Sequence, residues 1–512
     1  MKRCYITTPI YYASGKPHIG HAFTTILADV IKRYKQQNGY EAYFLTGTDE
    51  HGNKIESKAK SLGLDPQTFV DQNVAYFQQM WKQLDINFDH FIRTTDLSHK
   101  AQVQHAFQLL YDKGLIYQSN WEGAYCVECE QNYFTYDKQT MLCEIGHQLT
   151  LVQEPSLFIA FKDSKDWIGE MIATNKLNIT PESRAAELKN NFLDGGLNDL
   201  ALTRQNVTWG IPVPFDNKQT IYVWFDALFN YITNLGFAHN DPKFNKWWNN
   251  NDEEHEVIHL ISREITRFHC IYWPIFLHQL GFKLPTQFLS HGWIVDGNGH
   301  KMSKSLGNVI SPEELLAQFG VDGTRYCLLK EMRLDKDNRC SMAIFKDIYN
   351  ADLANSFGNH ASRTFGMIKK YLGGQLDFIE VQDPQVKQLM DQANQAMVQF
   401  DTAWNNFQFY KGINGLLQLV FQASKLIDQL KPWELVKQTD YTLLKQLLFA
   451  CVRCTQVCFV LLAPILVHTS TQIFDLFNFS AQARSKTHLA DPQQLQKISL
   501  APVIQPLFKR LD

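Results

Sequence analysis

The stretch RCYITTPIYYASGKPHIGHAFTTILADVIKRYKQQNG, residues 3–39, changes its hydrophobic period halfway along. RCYITTP is a short β-branched and aromatic run of the kind that forms a buried strand. Phe23, Ile26, Leu27, Val30, Ile31 and Tyr34 then fall at i, i+3, i+4, i+7, i+8 and i+11, which places them on one helix face before Gly39 ends it. Further on, YEAYFLTG reads as a second strand, Asp65-Pro66 opens a second helical pattern, and FDHFIRT reads as a third strand. Ser98 is placed to N-cap a third helix that stops at Gly114. Strands alternating with helices predict an α/β protein built on a Rossmann-like, doubly wound parallel sheet, whose ligands sit beyond the carboxyl ends of the strands.

His18 and His21 fall at such an end, with Gly20 between them. Three residues apart at the start of a helix, the imidazoles share a face near the positive end of the helix dipole, and the glycine leaves room for an approaching anion. A polyphosphate suits that arrangement. A solvated histidine pair and a shared metal are the other readings of the same residues. Neither G-x-G-x-x-G nor the P-loop pattern is present, so phosphate must be gripped another way. A second stretch supplies it: GNGHKMSKSLGN, residues 297–308, carries Lys301 and Lys304 with Ser303 and Ser305 on a glycine-flanked loop, and Ser311-Pro312-Glu313-Glu314 follows as a capping box. Two ammonium groups on such a loop suit a triphosphate whose pyrophosphate is leaving.

Composition bounds the rest. A chain of 512 residues, 45% hydrophobic and 13% aromatic, has material for about three or four domains. The formal charge of −3 excludes a generally basic nucleic-acid binder while leaving a local basic face open. MKRCYITTPIYYASG lacks an apolar run of signal-peptide length, so a cytoplasmic protein is expected. Residues 447–467 come nearest to a membrane span, but Arg453, Thr455, Gln456 and Pro464 interrupt them, and a buried helix with no membrane partner is predicted.

The two loop stretches, H-I-G-H at 18–21 and K-M-S-K-S at 301–305, together resemble the signature motifs of class I aminoacyl-tRNA synthetases. TTPIYYASGKPHIGH, FLTGTDEHG, IYVWFDALFNY, RFHCIYWP, NHASR and KPWELVK narrow the resemblance to the methionine–tRNA ligase family over residues 7 to 437. The resemblance implies ATP-dependent attachment of methionine to tRNA through a methionyl-adenylate, with release of AMP and pyrophosphate. It assigns His18, Gly20, His21, Glu264, Lys301, Met302, Ser303, Lys304 and Ser305 to ATP, and among these His18, His21, Lys301 and Lys304 to catalysis. By the same resemblance Asp49 holds the methionine ammonium, and Ile10, Tyr12, Trp224, Tyr231, Ile265 and His269 surround the thioether. Aromatic walls suit a flexible, polarizable side chain, with sulfur contacts worth roughly 0.3–1.5 kcal/mol. Ser262-Arg263-Glu264-Ile265 stands where the family usually shows a Gly-Lys-Asp-Ile-like stretch.

Cys126, Cys129, Cys143 and His147 have the ligand types and close pairs of a structural zinc site. Cys451, Cys454 and Cys458 lie at i, i+3 and i+7 of an apolar helix and read as core. After residue 350 helical patterns dominate and predict a bundle, which the resemblance makes the anticodon-binding domain, with Asn359, Arg363 and Trp433 offering amide, guanidinium and indole to the bases. The expected domains are 1–114 and 207–325 as the two Rossmann halves, 115–206 as a connective insertion with the zinc knuckle, 326–349 as a stem-contact connection, and 350–512 as the helical domain. Expected cofactors are Mg2+ with ATP and one Zn2+. Expected partners are ATP, L-methionine, and initiator and elongator methionine tRNA, bound by a monomer. Two alternatives keep the fold and change the function: an inactive tRNA-binding paralogue, and a class I synthetase for another small apolar amino acid. The short segment before Val207, with no room for a full editing domain, weighs against the second.

Overall fold

The structure, a computed structural model, describes residues 2–127, 131–133, 136–143, 146–205, 207–249, 254–300, 302, 308–502 and 507–512. The chain forms two compact units, residues 1–32 with 40–293, and residues 33–39 with 294–512.

The first unit is organised by a seven-stranded sheet. Its strands are β1 (Arg3–Thr7), β2 (Tyr11–Tyr12), β3 (Glu41–Asp49), β4 (His90–Arg93), β5 (Ile179–Thr180), β6 (His255–Ser262) and β7 (Gln287–His291). They run in the order β2–β3–β1–β6–β7–β5, with β4 also on β3, and every pairing is parallel. The doubly wound α/β fold read from the sequence is therefore the one formed. After β1 the chain moves to one side through β3 and later to the other through β6 and β7, so strand order reverses between β1 and β6. That switch point is where an open parallel sheet leaves a crevice.

Helices α1 (Ile19–Gln37), α2 (Asn53–Ser61), α3 (Pro66–Gln83) and α4 (Leu97–Asp112) make the connections among the first strands. All six residues of the predicted α1 stripe are buried, and Gly39 takes a left-handed φ of 79°. Asp65 caps α3 by accepting from the Thr68 amide at 3.1 Å, ahead of Pro66. At α4 the capping expectation fails: Asp96 occupies the cap position, and its Oδ2 accepts from the Arg93 amide, so Ser98 lies inside the first turn. The sequence reading missed α2, because NKIESKAKS buries only Ile55 and Ala59 and shows no apolar stripe. Gly47 in β3 is required by close approach: a Cβ there would lie 2.0 Å from the Ile92 carbonyl oxygen of β4.

Between the two halves of the sheet, strands Ile116–Cys126, Gln131–Tyr133, Thr150–Ile159 and Leu200–Ala201 form a separate antiparallel sheet. Residues 116–125 pair continuously with 159–150. Two short helices then bring aromatic residues back to the main sheet, α5 (Val223–Leu228) and α6 (Asn230–Thr233), and α7 (Trp273–Leu280) covers the β6–β7 crossover.

The second unit is helical. It contains α8 (Pro312–Glu331), α9 (Asn359–Leu372), α10 (Pro384–Asn405), α11 (Phe409–Leu430), α12 (Pro432–Lys437), α13 (Tyr441–Leu462) and α14 (Val467–Leu476). The Ser311 capping box forms as expected, with Ser311 Oγ accepting from the Glu314 amide and the Glu314 carboxylate from the Ser311 amide. Among the described residues α13 is the one helix long and apolar enough to cross a membrane, and 89% of its apolar window is buried inside this unit, as a core helix requires. Cys451, Cys454 and Cys458 are buried in that core.

Candidate active site

Three side-chain groups of the first unit gather at the carboxyl ends of its strands. The first is the histidine turn. His18 precedes α1, its Nδ1 accepts from the Gly20 amide at 3.0 Å, and the His21 Nδ1 accepts from the His18 amide at 3.3 Å. The two rings stack with centroids 3.7 Å apart. Both Nδ1 atoms are thus engaged by the first-turn amides, and the pair sits at the positive end of a 19-residue helix.

The second group is a buried aromatic cluster. Tyr231 of α6 donates its hydroxyl to His269 Nε2 at 2.7 Å, because His269 Nδ1 carries the hydrogen given to the Ile265 carbonyl at 3.0 Å. Burial pushes the His269 imidazole down to about 4, so it is neutral at neutral pH, and burial raises the Tyr231 phenol. Trp224 of α5 stacks on Phe268 with centroids 3.7 Å apart and meets the His269 ring edge-on. Its Nε1 is buried without a partner among the described residues. Ile10 and Ile265 are half-buried and pack on the same core. Trp224 and Tyr231 from one stretch, and Ile265 and His269 from another farther along the chain, are therefore brought together.

The third group is at the end of β3. Asp49 is buried and lies in register with Tyr12 of β2. Tyr12 donates its hydroxyl to the His51 carbonyl at 2.8 Å. Sequence reasoning missed the groups behind it. Asp226 of α5 accepts from both His51 and His99, and Glu50, fully buried, accepts two hydrogen bonds from Arg93 at 2.8 Å each. Both DEHG and VWFDA were in view, but nothing in either stretch says that its acid meets a base remote in sequence.

Glu264 is exposed in the short turn after β6. Its neighbour Arg263 is held by Glu187 at 2.8 Å and lies over the Trp293 ring, while Ser262 keeps an extended φ of −88°, which needs no glycine. In the second unit, Asp296 joins residues on the two described sides of the lysine stretch. Its Oδ1 accepts from the amides of Asn298 and His300, and its Oδ2 from Asn308 Nδ2, each at 2.9 Å. Met302 is half-buried. Lys301, Ser303, Lys304 and Ser305 lie outside the described residues.

The cysteine cluster has geometry of its own. Cys126 Sγ, Cys143 Sγ and a ring nitrogen of His147 lie within 4.8 Å of one another, with the cysteines buried and the histidine half-buried. Cys126 Sγ is 3.8 Å from His147 Nδ1, and Cys143 Sγ accepts from the His147 amide at 3.2 Å. Two thiols and an imidazole converging at this spacing can hold a metal ion, and the donor set is the one zinc prefers. Cys129 lies outside the described residues.

A family profile described as "tRNA synthetases class I (M)" matches residues 4–148 and 136–365. Over the full length of both chains, the sequence is 71% identical to a methionine–tRNA ligase of Mycoplasma genitalium. The chain belongs to the methionine–tRNA ligase family. It is 42% identical to the Ureaplasma parvum methionine–tRNA ligase, over all of this chain and 98% of that one. Its fold superimposes on Mycobacterium tuberculosis methionyl-tRNA synthetase in complex with methionyl-adenylate with a TM-score of 0.94, at 31% identity and full coverage of both chains.

The three residues expected at the anticodon all fall in the helical unit. Asn359 is exposed at the start of α9. Arg363, one turn on, donates to Asp428 at 3.0 Å. Trp433 follows Pro432 at the start of α12, after Lys431 turns the chain with a φ of 47°, and its side chain is 41% exposed.

Proposed function

We propose that the strand-end clusters of the first unit bind methionine, and that the histidine turn and the 301–305 loop hold ATP, for the reaction this family catalyses. The chain is a class I ligase that attaches methionine to tRNA with ATP, through methionyl-adenylate. Asp49 accepts from the substrate ammonium. Ile10, Tyr12, Trp224, Ile265, Tyr231 and His269 enclose the thioether, and the neutral, fully bonded Tyr231–His269 pair lets the pocket take an uncharged side chain without stranding a buried charge. A carboxylate oxygen of methionine attacks the α-phosphorus of ATP, the bond to the β-phosphate oxygen breaks, and pyrophosphate leaves. His18, Gly20, His21, Lys301, Met302, Ser303, Lys304 and Ser305 line the phosphates, and the two histidines and two lysines stabilise the charge that builds there. Glu264 binds ribose hydroxyls. A terminal ribose hydroxyl of the tRNA then attacks the adenylate carbonyl and AMP departs. No side chain forms a covalent intermediate. Mg2+ accompanies ATP and screens its phosphate charge when bound.

The domain division that fits this reading is 1–114 and 207–325 for catalysis, 115–206 for the knuckle, 326–349 for the stem, and 350–512 for the anticodon. Zn2+ held by Cys126, Cys129, Cys143 and His147 would brace the knuckle, since four ligands leave no open position for chemistry. Asn359, Arg363 and Trp433 meet the anticodon of initiator and elongator methionine tRNA, and the protein acts as a cytoplasmic monomer. The Trp224–Tyr231–His269 cluster at the strand ends is the observation that carries the substrate assignment. Pyrophosphate exchange into ATP, measured across amino acids, tests it: methionine alone supports exchange, and activity with leucine, isoleucine, valine or cysteine but not methionine overturns the substrate reading.

A further inference from the structure

One buried cluster of ionisable groups in the first unit takes no part in the reaction just described. Asp226 Oδ2 accepts from His51 Nδ1 at 2.6 Å and Asp226 Oδ1 from His99 Nε2 at 2.7 Å. The three side chains are 1–2% exposed. A carboxylate only accepts, so each ring must turn an N–H toward it. That leaves the His51 Nε2 and the His99 Nδ1 as the second nitrogen of each ring. His99 Nδ1 is matched by Thr233 Oγ1 at 2.8 Å. His51 Nε2 has no partner among the described residues, and His51 is among the residues lining a cavity of about 10 Å³ with Gly52, Trp209, Tyr222 and Val223. Burial raises the Asp226 carboxyl, and the two imidazoles outweigh it, holding the group below the usual carboxylate range.

The position of the cluster gives it meaning. His51 lies two residues after Asp49, Asp226 two after Trp224, and Thr233 two after Tyr231. The His51 carbonyl also accepts from the Tyr12 hydroxyl. One carboxylate thus ties together the three backbone segments that carry the ammonium acceptor and two aromatic walls, and reaches a fourth through Tyr12. The helices concerned cannot place themselves: α5 has six residues and α6 four, well short of the length at which a helix is stable alone. Apolar side chains of like volume would pack such helices at lower desolvation cost, whereas hydrogen bonds fix distance and direction.

We infer that Asp226 is a positioning residue for methionine binding, which through His51 and His99 sets the spacing of Asp49, Tyr12, Trp224 and Tyr231. The inference rests on the methionine-site assignment made above.

Asp226→Asn tests it, because the amide presents N–H to one ring that already presents its own. In pyrophosphate exchange the KM for methionine should rise about ten- to a hundredfold, the scale of a lost hydrogen bond to a charged group, with kcat and the KM for ATP changed less than threefold. His51→Asn, whose amide can replace the Nδ1–H, should keep the methionine KM within about threefold of the parent, and His51→Leu should raise it as Asp226→Asn does. Asp49→Asn is the control on the site itself. If it leaves the methionine KM unchanged, the site assignment falls and the inference with it. If it raises the KM while Asp226→Asn does not, the positioning role alone is wrong. Methionine and ATP constants that worsen together, in step with a lower melting temperature, also overturn the role by showing a general packing defect. Should Asp226→Asn fail to fold, the His51→Asn and His51→Leu pair, with the carboxylate intact, decides by the same criteria.

Discussion

The two units satisfy their buried ionisable groups with a different emphasis. In the sheet unit buried ionisable groups meet one another: Asp226 meets His51 and His99, Glu50 meets Arg93, and Tyr231 meets His269. In the helical unit several meet backbone instead, although Tyr326 donates to Asp352 at 2.9 Å. Arg325 donates to the carbonyls of Pro464 and Ile465, Arg453 to that of Leu489 as well as to Gln456, and Asp322 accepts from the amides of His468 and Thr469. Strand backbones inside a parallel sheet are already paired with each other, so polar side chains at strand ends must satisfy themselves or a ligand. Helix ends leave unpaired amides and carbonyls, and a buried charge can be used up in stapling them. The Tyr231–His269 pair of the first kind lines the proposed methionine pocket, whereas Arg325, Arg453 and Asp322 serve the fold.

The contrast can be broken at several points, taken here from the largest effect down. Cys126→Ser should abolish zinc binding, measured by metal analysis at about one ion per parent chain, while methionine-dependent exchange persists, because a closed site braces only its own knuckle. Stoichiometric zinc in the variant, or none in the parent, removes the site. Lys304→Ala should slow adenylate formation about 10²- to 10³-fold in single-turnover assays, with methionine affinity little changed, since a charge that acts on departing pyrophosphate counts mainly in the transition state. Weaker methionine binding at an unchanged rate would contradict that role.

Acid should act on both units alike. Burial pushes His269 in the first unit and His360 in the second down to about 4, from an ordinary 6.5. As pH falls from about 6.5 to about 4 the unfolded chain takes up these protons and the folded chain does not. Stability is therefore lost across that window, by about 3 kcal/mol for each histidine, and levels off below it. Urea midpoints measured over the window should fall, and His360→Gln should flatten the fall; an unaltered slope in that variant shows that other groups drive it. The smallest effect expected is the most selective. Trp433→Ala should reduce charging of methionine tRNA by about one to two decades, the loss of roughly 1–3 kcal/mol of base stacking, while exchange stays near its parent value. Equal loss in both assays, with a lower melting temperature, would place Trp433 among the structural residues of the helical unit.

How much was legible in advance varied with the range of the interaction. The α1 stripe, the Asp65 and Ser311 caps and the apolar α13 follow from contacts within a few residues, and each is formed. Ser98 failed as a cap because Asp96 and Ser98 both satisfy the local rule, and a two-residue difference in where the helix begins chooses between them. α2 escaped because the helix covers a small patch and shows little apolar periodicity.

The sequence by itself determined the parallel α/β class, the histidine turn at the mouth of α1, the capped helix after the lysine loop, and, through paired motifs in fixed order, the family. These are local patterns, set by side-chain period, capping chemistry and glycine placement along one strand or helix. Motif and resemblance grouped Trp224, Tyr231 and His269, and Cys126, Cys143 and His147, but only the tertiary structure decided which atoms meet, that Tyr231 bonds His269, that both cysteines close on His147, and that one carboxylate joins His51 to His99. Apart from that of Cys143 with His147, such contacts span from about 20 to about 175 residues of chain. Their geometry is set by strand order and crossover packing, and no period within a short window carries that information.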